Sequence, residues 1–121
     1  GDQTLSIGDT LRRNSFYLAG TWNIQREYAT NKTPKARLMF DYQSMDVYMV
    51  AASAEEVRIK VTRDGGRSLG DGRGADVGED GYATIKEHRL YKLIEDVDYG
   101  RHVLEIEIEG VGFDIYTFTF G

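Results

Sequence analysis

No cysteine occurs in the sequence, so these 121 residues hold no disulfide, perform no thiol chemistry and build no thiolate zinc site. No apolar run approaches the roughly 20 residues that cross a bilayer, which argues against direct membrane insertion by this segment. Basic residues number 15 against 20 acidic ones, and a net charge of −5 opposes nucleic acid as a partner, because phosphate binding needs a concentrated positive face. The only imidazoles are His88 and His102. Nucleophilic catalysis would need one of them as a base beside a serine or threonine, and a two-histidine metal site would need both. His102, next to Val103 and Leu104, reads more simply as a hydrogen-bonded histidine at the start of a strand. Carboxylate pairs could be drawn from Asp41, Asp46, Asp76 or Asp114, but an acidic chain offers such pairs by chance. No catalytic residue is therefore expected. The opening Gly-Asp-Gln-Thr lacks the basic and apolar segments of a signal peptide and reads as the start of a piece cut from something longer.

What the sequence does have is alternation. Leu38-Phe40-Tyr42, Val57-Ile59-Val61, Leu104-Ile106-Ile108 and Phe113-Ile115 each skip one residue, the period of a half-buried strand. Charged partners such as Glu56-Arg58-Lys60 give each strand one wet and one dry face, so the expected class is all-β, a two-layer antiparallel sandwich. Residues 1–14 read as an arm or linker with Leu5, Ile7 and Leu11 as anchors, and residues 15–121 as one domain. Strands are expected over 16–28 with a corner at Gly20, over 36–43 and 45–52 as one bent strand or a tight hairpin, and over 55–62. Residues 31–35, with the one proline, read as a loop. Val47, Met49 and Ala51 alternate with Tyr48, Val50 and Ala52, which places that segment centrally. Residues 87–95 could form a strand or, from the spacing of Leu90, Leu93 and Ile94, a helical turn; strand is preferred. Residues 101–109 and 112–120 are expected as two antiparallel strands around a glycine turn.

Seven of the fourteen glycines fall within residues 64–81, the long loop of the chain. Asp71, Asp76 and Asp80 lie in it and could join free carbonyls around a structural Ca²⁺, although their spacing matches no EF-hand; solvated acidic loop is the simpler reading, and no cofactor is expected. A glycan site would need an exposed flat aromatic flanked by groups that bond hydroxyls. Trp22, Tyr28, Tyr48, Tyr82, Tyr91, Tyr99 and Tyr116 supply the aromatics. Tyr82 and Tyr91 flank the end of the loop and, with Asp76 and Arg89, are the expected ligand rim, with Trp22 as a further candidate. Each has a plain structural alternative: Trp22 as core, Asp76 as a cap for the loop's own amides.

The ordered set Leu18-Ala19-Gly20-Thr21-Trp22, Asp46-Val47-Tyr48, Asp64-Gly65, Gly74-Ala75-Asp76-Val77, Arg89-Leu90-Tyr91-Lys92-Leu93, His102 and the ending Tyr116-Thr117-Phe118-Thr119-Phe120-Gly121 resembles the C-terminal domain of DipZ-type proteins over roughly residues 15–121. These are bacterial thioredoxin-family proteins that often carry a cytochrome c biogenesis membrane region. The resemblance implies a jelly-roll domain similar to carbohydrate-binding modules, outside the cytoplasm and beside a thioredoxin-like domain. It implies no settled ligand, and with no Cys-x-x-Cys present no redox activity passes to this chain. Two function classes follow: a non-catalytic module with a glycan ligand, or a protein-interaction module that packs on the thioredoxin-like domain or a client.

Overall fold

The computed structural model describes residues 1–5, 12–13 and 16–121. Among these, nine strands succeed one another: β1 (Asp2–Leu5), β2 (Arg12–Arg13), β3 (Phe16–Ile24), β4 (Ala29–Asn31), β5 (Arg37–Ser53), β6 (Val57–Arg63), β7 (Tyr82–Ile85), β8 (Arg89–Glu109) and β9 (Phe113–Phe120). A 3₁₀ turn at Gly70–Gly72 is the one helical element among the described residues, and none is long and apolar enough to cross a membrane. β1 pairs with β3 at the outer end of the sheet, with Leu5 opposite Gly20. Ile7 and Leu11 lie outside the described residues.

All pairings are antiparallel, and the long strands β5 and β8 run through both layers of the sandwich. In the first layer, residues 37–44 of β5 lie between β3 and residues 100–107 of β8, and β8 continues to β6 and β7. In the second, residues 46–53 of β5 lie between residues 89–95 of β8 and β9, and β9 continues to β4 and β3. The alternating residues of both layers meet in one core: Leu38, Phe40, Ile59, Leu104 and Ile106 from the first, Met49, Leu93, Phe113, Ile115 and Trp22 from the second. Each such side chain withdrawn from water stabilises the fold by about 1.5–3 kcal/mol.

Two open alternatives are resolved and one expected pairing is corrected. Of the bent strand and the hairpin expected over 36–52, the bent strand is found: Arg37–Ser53 is continuous, with a register shift between Ser44 and Asp46. The strand preferred over a helical turn for residues 87–95 is present from Arg89 onward; a second shift sets Val47 opposite Ile94 and Tyr48 opposite Lys92, leaving Leu93 as an extra residue. That bulge turns both Leu93 and Ile94 inward, which produces the helix-like spacing. Finally, β8 and β9 do not pair with each other. The last part of β8 already has β5 on one side and β6 on the other, so β9 crosses to the far edge of β5. Asn31, read as loop, ends β4 and guides that crossing. Its fully buried amide donates to the carbonyls of Thr33 (3.0 Å) and Gly110 (2.8 Å) and accepts from Phe113 N (2.8 Å).

The glycine-rich segment shields an edge. The first part of β8 pairs with β5 on one side, and on the other the loop lies against it: Gly74 N donates to Leu93 O (2.8 Å) and Asp76 N to Lys92 O (3.2 Å), with a bridge between Arg73 and Ile94. Leu69 and Val77 anchor the loop in the core. An exposed strand edge invites pairing with other chains, and this one is covered. The close approach requires glycine at 74, where a Cβ would stand 2.3 Å from the Lys92 carbonyl oxygen. Gly74→Ala should therefore lower stability by about 2–4 kcal/mol in urea denaturation, in the range of large steric mutations; a change within about 0.5 kcal/mol would show that the loop does not dock as described.

Candidate functional site

Between Ser44 and Asp46 only Met45 faces β8, whereas β8 carries four residues, 96–99, before Gly100 resumes the register. That excursion, at the crease where β8 passes from one layer to the other, forms one wall of a groove of about 330 Å³. Arg63, Asp71, Asp96, Asp98, Tyr99 and His102 are among its lining residues. Tyr99 is 64% exposed and Val97 88%, so two apolar side chains stand in water beside it.

The excursion is held by a guanidinium. Arg63, at the end of β6, donates to both oxygens of Asp96 (2.6 and 3.1 Å), to the Tyr42 hydroxyl (3.2 Å) and to the Leu69 carbonyl (3.4 Å). Both partners of the ion pair are only 14% exposed. The hydrogen bond to Asp96 outweighs burial and raises the Arg63 pKa above its already high ordinary value, while burial pushes the Tyr42 phenol up. Gly72 packs on the pair: a Cβ there would lie 1.9 Å from Asp96 Oδ1. Alongside, Asp64 adopts a left-handed backbone (φ 54°) that turns its carboxylate onto β8. Oδ1 accepts from Val103 N (3.0 Å) and Oδ2 lies 2.6 Å from His102 Nδ1. Burial opposes charge on Asp64, but the bonds from Val103 and His102 prevail and hold its carboxyl below the usual range. An ionised carboxylate only accepts, so Nδ1 of His102 carries the proton.

The structure brings Asp76, Arg89 and Tyr91 together, and all three contact one another or the strand. Arg89 donates to Asp76 (2.9 and 3.4 Å), and its guanidinium lies 3.9 Å above the Tyr91 ring. Lys92 N donates to Asp76 Oδ2 (2.7 Å). Burial works against the Asp76 charge, yet Arg89 and Lys92 N more than compensate, so its pKa falls below the ordinary value. Tyr91 is 1% exposed, its hydroxyl accepting from Lys86 N (3.1 Å) and donating to Glu87 O (2.7 Å). Tyr82 joins another set: Arg58 lies 4.0 Å over its ring and its hydroxyl donates to Glu109 (3.1 Å). Trp22 is fully buried, with its indole N–H on Ala19 O (2.8 Å). Asp76 and its partners thus fasten the loop to β8, while the open groove is lined by Tyr99 and its neighbours. The signal for that wall was an Asp-Val-Asp-Tyr-Gly stretch placing Val97 and Tyr99 between two strands.

Asp71, Asp76 and Asp80 do not converge. Asp71 lines the groove, Asp76 binds Arg89, and Asp80 accepts from Tyr82 N (3.0 Å). No group of three metal-ligating side chains is present among the described residues. Gly66-Arg67-Ser68-Leu69-Gly70 does have the Gly-x-Ser-x-Gly spacing of a hydrolase nucleophile elbow. Its context differs: the elbow needs a strand-to-helix turn, whereas Ser68 follows the hairpin bridge of Arg63 to Arg67 and its Oγ accepts from Gly70 N (3.1 Å).

A family model described as "Thioredoxin like C-terminal domain" matches residues 1–121. The chain belongs to that family. No curated protein sequence matches it. Among solved structures, this thioredoxin-like C-terminal domain is similar to a family two carbohydrate esterase from Clostridium thermocellum in complex with cellohexaose, with 12% identity and a TM-score of 0.65 over 83% of this chain and 29% of that one. A family two carbohydrate esterase from Cellvibrio japonicus shows 16% identity and a TM-score of 0.67 over 99% of this chain and 33% of that one. At such identities the likeness shows the fold, an antiparallel β-sandwich, and the domain spans about a third of those esterase chains.

Two outcomes test this geometry. Asp96→Asn leaves Arg63 without its carboxylate and should lower stability by about 3 kcal/mol in urea titration; a loss under about 0.5 kcal/mol would mean the pair does not hold the excursion. Because the Asp76 pKa is depressed in the folded state, its stabilisation is present above the unfolded carboxylate's pKa and is lost as pH falls through the folded one. The urea midpoints of wild type and Asp76→Asn should differ at neutral pH and converge in strong acid, and a gap that persists unchanged in acid would refute the charge-based account.

Proposed function

We propose that this domain is a non-catalytic carbohydrate-binding module of a larger extracytoplasmic, DipZ-like thioredoxin-family protein, and that its ligand lies in the groove beside Tyr99. The observation that carries the reading is one exposed aromatic ring next to a cluster of hydroxyl-binding side chains, in a concave site on a fixed scaffold. A pyranose presents a C–H face that packs on such a ring, and its hydroxyls donate to carboxylates and accept from imidazole. The family supports a thioredoxin-like neighbour, and the sandwich fold shared with two carbohydrate esterases is compatible with a sugar ligand. In this reading the His102–Asp64 pair fixes an imidazole for hydrogen bonding.

A second reading, docking onto the thioredoxin-like domain or a client, draws on the outer face of the second layer. There Tyr28 lies 5.1 Å from Tyr116, His88 stacks on Tyr116 at 4.4 Å, and exposed Leu90 pairs with Val50. Sugar binding and docking separate experimentally. A glycan-array screen followed by isothermal titration of the best oligosaccharide should give binding that Tyr99→Ala weakens about three- to tenfold, the size of one lost ring contact. An array with no hit, or a Tyr99→Ala affinity equal to wild type, would remove the groove as a glycan site.

A further inference from the structure

The charges around the groove do not balance. Arg63 is the one arginine or lysine in its lining among the described residues, and Asp96 neutralises it through two hydrogen bonds. His102 is bonded through Nδ1 to Asp64, which lies just behind the lining. Asp71 and Asp98 have no hydrogen-bond or ion-pair partner among the described residues. Asp71 sits in the 3₁₀ turn on one wall and Asp98 on the excursion opposite Met45, on two different segments of chain. Two carboxylates without a partner among the described residues thus share a concavity with an exposed ring, and no free ammonium or guanidinium of those residues lines it.

We infer that the groove selects sugars bearing a protonated amine, such as glucosamine oligomers, over N-acetylated and acidic ones, with Asp71 and Asp98 as the specificity-determining residues. The inference rests on the groove being the glycan site. An ammonium on a pyranose donates to carboxylates on either wall while the ring's C–H face covers Tyr99, whose π-cloud also attracts the cation. An N-acetyl group removes that charge. A uronate or sulfate meets two like charges, with no unpaired arginine or lysine among the described lining residues to receive it. Both carboxylates are solvent-exposed, so each contributes modestly and the effect is screened by salt.

The test is isothermal titration of the full chain at neutral pH and low salt with three oligomers of equal length: glucosamine, N-acetylglucosamine and galacturonate. Glucosamine oligomers should bind about three- to tenfold tighter than N-acetylglucosamine oligomers, as two exposed charge pairs allow, and galacturonate weakest. The preference should collapse in high salt and in Asp71→Asn/Asp98→Asn, a pair of exposed residues whose substitution leaves the fold intact by circular dichroism. If N-acetylglucosamine oligomers bind as tightly as glucosamine oligomers, or the double variant keeps the preference, the selectivity is overturned while the glycan site stands. If none of the three binds and a wider array is also blank, the glycan reading falls with it.

Discussion

The bonds from Arg63 to Asp96 decide the shape of this molecule's most distinctive region. One guanidinium joins the end of β6, the hydroxyl of Tyr42 on β5, the Leu69 carbonyl ahead of the 3₁₀ turn and the excursion of β8. A nearly buried ion pair adds little net stability over an apolar substitute, because desolvation offsets most of its attraction. What it supplies is position. Four residues of β8 face a single residue of β5, and without a fixed partner they would have many conformations open to them. Gly72 belongs to the same knot, since any side chain there would displace the Asp96 carboxylate.

The second clasp, between Asp76, Arg89 and Lys92 N, serves the sheet. It seals the edge of β8 that β5 leaves open, with backbone bonds from Gly74 and Asp76 standing in for a strand. Each of these groups meets its hydrogen bonds inside the protein. Asp71 and Asp98 remain turned to solvent around Tyr99, which separates residues that hold the scaffold from residues available to a ligand.

Much of the fold was legible because strand burial has a period of two. Leu38-Phe40-Tyr42, Val57-Ile59-Val61 and Leu104-Ile106-Ile108 are all buried, as alternation requires. The pattern was ambiguous where the register slips. At Leu93 and Ile94 a bulge places two successive side chains inward, and alternation cannot distinguish that from a helical turn. The pairing of β9 was also hidden, since a glycine turn suggests a hairpin while the choice between β8 and β5 depends on which edges are already occupied. The expected ligand rim had the right composition, and the structure does group Asp76, Arg89 and Tyr91. It buries Tyr91 and joins the two charges to each other, because tertiary pairing decides which polar groups stay open. Tyr99 was one aromatic among several, and its exposure follows from an insertion relative to β5 that one strand's sequence does not reveal.

The passage of β5 and β8 through both layers has a mechanical corollary. A binding cleft between two separately folded sheets can open and close as they slide, and a ligand must then pay for freezing that motion. Here the same two polypeptide segments are woven into both sheets, so shear across the crease would break their mutual hydrogen-bond ladder. The cavity floor is therefore preorganised. Discrimination in the proposed glycan site then rests on fixed shape and charge, with little adaptation of the backbone and a small conformational-entropy penalty on association.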